Sequence, residues 1–407
     1  MNVVYKRCAG LDVHKKTVVV CVRIPRKKGE VRTFSTTTKG LRELAQWLLD
    51  NDVTHAAMES TGIYWRPVYN ILDGTGCELL LVNAHHIKQV PGRKTDVKDA
   101  EWIAELLQHG LLTSSYVPNR GQRELRDLVR YRRKQIQMRT SEVQRLQKTL
   151  EAANIKLASV ISDVTGVSGI AILRAIIEGE TDPAKLAALG NNRLRATKDE
   201  LQEALEGLQG EHQRMLLRCQ LRHIDFIDGE LANLDAEISK RTNSFAEEVK
   251  SVDDVPGIGK RAAEDILAET GVDMERFPTD AHFTSWGKVC PGSNESAGKR
   301  KSGRTGKGNP WLRGALIEAA WAAVRKKDSF FSVLYRRLAM RRGKLRAIVA
   351  VARRILQTIY FMLKRKEPYR EINTAELEQA GRDGIARRAV RRLNRLGFHV
   401  TLDPLTA

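Results

Sequence analysis

The chain has 407 residues, too long for a peptide or a lone binding module and about the length of two or three domains. Lys and Arg number 69 against 49 Asp and Glu, a formal charge of +20 that favours a polyanionic partner through phosphate contact and counterion release. Hydrophobic residues make up 42%, enough for real cores, which excludes a disordered basic tail.

Residues 3–36 read as three strands in a meander: "VYKRCAGLDV" and "TVVVCVRI" are rich in β-branched residues, and the "PRKKGE" turn leads into "VRTFSTTT". A helix is predicted from Lys39 to Asp50, with Leu41, Leu44, Leu48 and Leu49 on one face. A short strand "THAAMES", a helix around Trp65–Leu72, a buried strand "CELLLVNA" and a helix from about Val97 to Leu112 follow. Three strands and then alternating helix and strand predict a mixed α/β sheet. Residues 120–157 carry a heptad seam from Leu125 to Leu157, with Arg132 and Arg139 at seam positions. A second long helix is predicted from about Lys198 to Lys240, with Gly207, Gly210 and Gly229 as weak points. Two such helices pair with each other or with a second chain. Between them "DVTGVSGIAILRAIIEGE" echoes "DVPGIGKRAAEDILAETG" at 254–271. From Val252 the pattern is helical, interrupted by a Gly- and Lys/Arg-rich loop at 297–313, and it ends in a basic helix, "ARRAVRRLNRLGF". The implied divisions are 1–117, 118–250 with a possible insertion at 158–200, 251–370, and a basic tail at 371–407.

Cysteine usage narrows the setting. Cys8, Cys21, Cys77, Cys219 and Cys290 are odd in number and form no C-x-x-C pair, which argues against a disulfide framework or a thiolate zinc site and for a reducing cytosol. The best apolar stretch, Ala347 to Leu363, is broken by Arg353 and Arg354, and the N-terminus has no signal-peptide pattern, so neither membrane insertion nor secretion is expected.

Four carboxylates stand out. Asp12 lies in the first strand region, Glu59 ends an isolated strand, and Asp96 and Asp99 open a helix with the i, i+3 spacing that puts both on one face. If the first two strands are neighbours, all four converge at one end of the sheet. Clustered carboxylates stay ionised only beside cations, which suits one or two hard divalent ions. Two ions about 4 Å apart bind a scissile phosphate and polarise its oxygens. The plainer alternative makes Asp96 an N-cap and Asp99 a first-turn charge.

Two further segments suit phosphate. Lys299, Arg300, Lys301, Arg304, Lys307 and Arg313 are interspersed with glycines and no acidic residue, so backbone amides and cations can approach a nucleic acid together. A mobile solvated loop is the plain alternative. Ser293, Ser296 and Ser302 are candidate nucleophiles there, and composition does not choose among them. In "VPGIGKRAAEDILAE", Gly257 and Gly259 resemble a helix-hairpin-helix element, whose amide groups hold phosphate without reading sequence. The nine histidines show no ligand spacing, so zinc is not expected.

Together "GLDVHKK", "MESTGIYWRPV", "GRKTDVKDAEWIAELL", "VPGIGKRAAEDILAE" and "NESAGKRKSGRTGKGNPWLR" resemble, in order, the DEDD transposases of insertion sequences, the "IS one-ten" family of bridge-RNA-guided DNA recombinases. The resemblance implies a RuvC-like N-terminal domain of RNase H fold, a coiled-coil linker and a mostly helical C-terminal transposase domain. It implies that Asp12, Glu59, Asp96 and Asp99 hold Mg²⁺ and that Ser296 is the nucleophile that becomes linked to DNA. Donor and target DNA, a structured guide RNA, a dimer assembling to a tetramer, active sites shared between subunits, and a cytoplasmic, nucleoid-associated place in a bacterial or archaeal cell are further implications. A RuvC-type junction nuclease using water, a DNA invertase without RNA guidance and a basic coiled-coil scaffold are the competing readings.

Overall fold

The computed structural model describes every residue except Met1, Thr61, 84–98, Ser293, Ala297, Asp328, Asn373 and 402–407. The chain divides into two compact units, Met1–Pro118 and Asn119–Ala407.

The first unit is built on a five-stranded sheet. Strands β1 (Cys8–Val13), β2 (Thr17–Arg23) and β3 (Glu30–Ser35) form the antiparallel meander that their β-branched residues predict. Strands β4 (His55–Glu59) and β5 (Glu78–Val82) add in parallel on the other side of β1, giving the order β3-β2-β1-β4-β5. Helices α1 (Thr38–Asp50) and α2 (Trp65–Leu72) cover one face. The Thr37 hydroxyl caps α1 by accepting from Gly40 N at 3.2 Å. Ala9, Leu11, Val18, Val20 and Val22 alternate onto this face against Leu41, Leu44 and Leu48. Each Val or Leu among these, fully buried, contributes about 1.5–3 kcal/mol. Helix α3 (Asp99–Gln108) covers the opposite face, packing Ile103, Leu106 and Leu107 on Cys8, Ala57, Leu80 and Val82. A mixed sheet clothed by helices in this way is consistent with the expected RNase H-like α/β domain.

The second unit is almost wholly helical. Helix α4 (Arg120–Ala152) is the seam helix. Four short helices, α5 (Leu157–Val160), α6 (Val167–Glu178), α7 (Pro183–Ala188) and α8 (Lys198–Leu205), precede the long α9 (Glu211–Thr242). The helix expected over 198–240 is therefore two helices. It breaks where Gly207 meets the end of α4: a Cβ there would lie 2.6 Å from Ala153 O, and Leu208 N donates to that same oxygen at 2.8 Å. The helix runs unbroken through Gly229, which has open space around it. Helices α4 and α9 are antiparallel, joined by Glu124–Arg241 at 2.9 Å, Arg132–Asp235 at 2.9 Å, Arg139–Asp228 at 2.5 Å and Gln220–Thr149 at 3.1 Å. Seam residues Leu125, Arg132, Leu146 and Leu150 are thus buried within the chain. Residues 146–224 close a helical core of their own around Leu150, Ile172, Leu173, Leu205 and Leu221.

The rest of the unit holds α10 (Ala246–Asp253), α11 (Lys260–Thr270), α12 (Asp280–Trp286), the hairpin β6 (Asn294–Ser296) and β7 (Lys299–Ser302), α13 (Pro310–Ala323), α14 (Phe330–Arg342), α15 (Lys344–Arg365) and α16 (Thr374–Arg395). Its core gathers Ile266, Phe283, Leu312, Leu316, Ile355 and Ile359. Helix α4 is clamped to α11 by arginines. Arg132, 1% exposed, reaches Glu264 at 2.5 Å, Asp265 at 2.7 Å and the Arg261 carbonyl at 3.1 Å. Arg130 makes a forked pair with the buried Glu269 at 2.7 and 2.8 Å. The echo between 163–180 and 254–271 does not carry into the backbone. Gly166 is the N-cap of α6 with φ −75°, whereas its counterpart Gly257 sits in a turn at φ +85°, two residues before the N-cap Gly259. Among the described residues no helix is long and apolar enough to cross a membrane.

Candidate active site

The carboxylates are placed by strand register and one glycine. Leu11 pairs with Met58 in the parallel β1–β4 ladder, so Asp12 and Glu59 follow side by side at the C-terminal ends of their strands. Alternation puts Cys8, Gly10 and Asp12 on the face that α3 covers. Gly10 lets that helix in: a Cβ there would lie 2.3 Å from both Ala100 O and Ala104 N, all backbone. Cys8 Sγ, one turn of pleat away, faces Ala104 O at 3.7 Å. Helix α3 therefore runs back along β1 with its first residue, Asp99, at the Asp12 end.

The electrostatics agree with that placement. Burial pushes the Asp12 carboxyl above its usual range; His14 opposes this, and the negative fields of Asp99 and Glu59 add to it. His14 Nε2 lies 3.1 Å from Asp12 Oδ2. Three hard oxygen ligands, one of them held above its usual range partly by the charges of the other two, are the donor set a divalent cation takes. They share one field but do not form a closed ligand shell: among the described residues no three His, Cys, Asp or Glu side chains stand close enough to hold an ion as placed. Asp96, the fourth expected acid, lies outside the described residues.

The basic segment begins as structure. Residues expected to open a loop at 297 form the β6–β7 hairpin, with Ser296 paired to Lys299 and Glu295 to Arg300. Gly298 at φ +72° in the connection allows the tight reversal. Ser296 is thus the last residue of its strand, with Lys299, Arg300 and Lys301 on the returning one. Ser296, Arg300 and Lys301 are described for their backbone only, and Ser293 is outside the described residues. Lys299, Arg304 and Lys307 are exposed and Arg313 is half-buried. Gly292 N donates to Arg304 O at 3.0 Å and ties the base of the segment.

The "GNPWLR" end of the segment is built as a helix start. Asn309 caps α13, accepting from Trp311 N at 3.0 Å and Leu312 N at 3.4 Å, with Pro310 in the first turn. Its amide also donates to Glu269 at 2.5 Å, the acid that Arg130 holds, so the segment is tied to α11 and through it to α4. Gly257 belongs to packing: a Cβ there would lie 2.3 Å from Ala319 O and Ala323 N of α13. Gly259 is exposed at the N-terminus of α11 with open space beside it, where an anion could approach. The sequence reading missed Gly10 and Asn309. Each stands inside a motif chosen for its charged neighbours, and a glycine facing a helix has no periodic signal.

Two family models and a curated relative match the chain. A family model of the DEDD type, described as a transposase, matches residues 9–155, which hold all four candidate acids. A second, described as the transposase IS116/IS110/IS902 family, matches residues 249–336, which hold the glycine turn and the β6–β7 hairpin. The transposase for insertion sequence element IS1111A of Coxiella burnetii is 25% identical over 307 residues, covering 74% of this chain and 76% of that protein. The two models match in order, the first running from the first unit through α4, and with them the chain belongs to the IS110 family of insertion-sequence transposases.

Proposed function

We propose that the chain is an RNA-guided DNA recombinase that moves an insertion sequence by serine attack on DNA phosphodiesters. The observation that carries the reading is the convergence of Asp12, Glu59 and Asp99, from two parallel strand ends and one helix start, into a single negative field. With Asp96 they would hold a divalent cation, Mg²⁺ in this reading. When bound, that ion would neutralise the carboxylates and stabilise the charge that builds on phosphoryl oxygens.

The chain's own part is positioning. The hairpin would present the Ser296 hydroxyl beside the cations of the returning strand and its loop, which draw in the phosphate backbone. The serine oxygen bonds to phosphorus as it gives up its proton, and the strand's ester oxygen leaves and takes one up. One phosphate ester replaces another, so rejoining needs no ATP. Acids from one subunit and serine from another would complete the site in a dimer that assembles to a tetramer. A structured RNA would choose donor and target by pairing; the +20 charge suits two polyanions.

Ser296→Ala is expected to abolish strand exchange while DNA binding persists, and the wild type is expected to leave a covalent protein–DNA adduct when reaction is quenched midway. Retained exchange in that variant removes the serine mechanism, and cleavage with no adduct favours a water-using nuclease. Sequencing the RNA that accompanies the purified protein tests guidance; recovery of no discrete RNA would favour an invertase acting without it.

A further inference from the structure

The strongest feature outside the site is the corner between α14 and α15. Between Ser329 and Lys366 the chain carries eleven Lys or Arg and no Asp or Glu. The two helices pack against each other and are joined by the single residue Gly343, whose φ of +80° suits glycine. The core side of α15, from Ala347 to Leu363, is buried, so the cations are driven to the outer side and the corner. All residues from Met340 to Arg346 are exposed, and among the described residues Arg341, Arg342, Lys344 and Arg346 enter no ion pair. At the apex stand two large apolar side chains, Met340 at 80% and Leu345 at 77% exposure.

A solvated charged face accounts for the cations but not for this combination. Water-facing helix corners take polar residues of both signs, whereas here, among the described residues, like charges are concentrated with no ion pair and two apolar groups project among them. That concentration costs self-repulsion unless a polyanion covers it. Apolar wedges flanked by Arg and Lys are what proteins insert between base steps from the minor groove, with the cations on the phosphates either side.

We propose that the α14–α15 corner is a duplex-DNA contact, with Met340 and Leu345 as an apolar wedge at base steps and Arg341, Arg342 and Lys344 on the flanking phosphates. The proposal rests on the reading of the chain as a DNA-acting transposase. It adds a surface that neither the acids nor the serine hairpin includes.

The test titrates full-length protein with a fluorescent DNA duplex over a range of salt. Arg341→Ala/Arg342→Ala/Lys344→Ala should lower the slope of log affinity against log salt by about 2 to 3, since each phosphate contact contributes roughly 0.9. Met340→Ala/Leu345→Ala should weaken binding about fivefold or more and reduce duplex bending by energy transfer, with the salt slope unchanged. Both sets are at exposed positions, so the circular dichroism and melting of each variant should match wild type. Wild-type slope and affinity in both variants would overturn the corner assignment while leaving the transposase reading standing. Failure of the wild type itself to bind duplex would sink both. Losses confined to a structured RNA probe, with duplex binding intact, would overturn the DNA assignment.

Discussion

Replacing Gly10 by Ala should uncouple the acids without touching any of them. The added methyl would sit 2.3 Å from Ala100 O and Ala104 N and 2.9 Å from Ala104 Cα, where ordinary contact begins at 3.4 Å. All three atoms are backbone, so no side chain can swing aside, and α3 must lift from β1 by about 1 Å. Overpacking of this kind costs about 1–3 kcal/mol. The same lift moves Asp99 away from Asp12, and a misplacement of about 1 Å at a reacting centre can cost about 10²-fold in rate. Urea unfolding should show a lower midpoint with an unchanged slope, and strand exchange should fall by about two orders of magnitude in protein that remains folded. A variant with the wild-type midpoint and wild-type rate would refute the argument that Gly10 is there to admit the helix.

Three other outcomes follow from particular contacts. Gly229→Ala, the same substitution in open space on α9, should raise stability by about 0.5–1 kcal/mol, read as a higher urea midpoint. Arg132→Ala should cost about 3 kcal/mol, because Glu264, 2% exposed, and Asp265 lose their close cation and keep only Lys260 at 3.9 Å and Arg133 at 3.8 Å; thermal unfolding measures it. In cation-free buffer, folded Asp12 binds its proton more tightly than the unfolded chain does. Its contribution is therefore full below the ordinary Asp range and is lost as pH rises through the raised value. Asp12→Asn should flatten the pH–stability curve across that interval, leaving the variant relatively more stable than wild type above it.

Much of the first unit was legible. The β-branched runs gave β1 to β3, and the leucine face placed α1 within a residue of its observed start. Asp12 stands beside Glu59 because β4, the fourth strand in chain order, pairs in parallel with β1, a crossover that only the register shows. Other features rest on partners far apart in the chain. Arg132 looked like a misfit in a heptad seam, because its carboxylates lie more than 100 residues away on α9 and α11. The break before α9 falls at Gly207 and Gly210, two of the three glycines marked as weak points; that it falls there and not at Gly229 depends on Gly207 meeting the end of α4, which no local pattern reveals. The β6–β7 hairpin was hidden by composition: Gly, Lys and Arg read as a loop, and strands this short carry no alternation.

In the proposed site Asp12, Glu59 and Asp99 serve one divalent cation. Mn²⁺ as a spectroscopic probe, titrated into the purified protein and followed by loss of the free-ion electron-paramagnetic signal, measures this without relying on strand exchange. Asp12→Asn, Glu59→Gln and Asp99→Asn are each expected to weaken binding at the same site. Wild-type binding in all three would mean that the carboxylates stand together for structure alone.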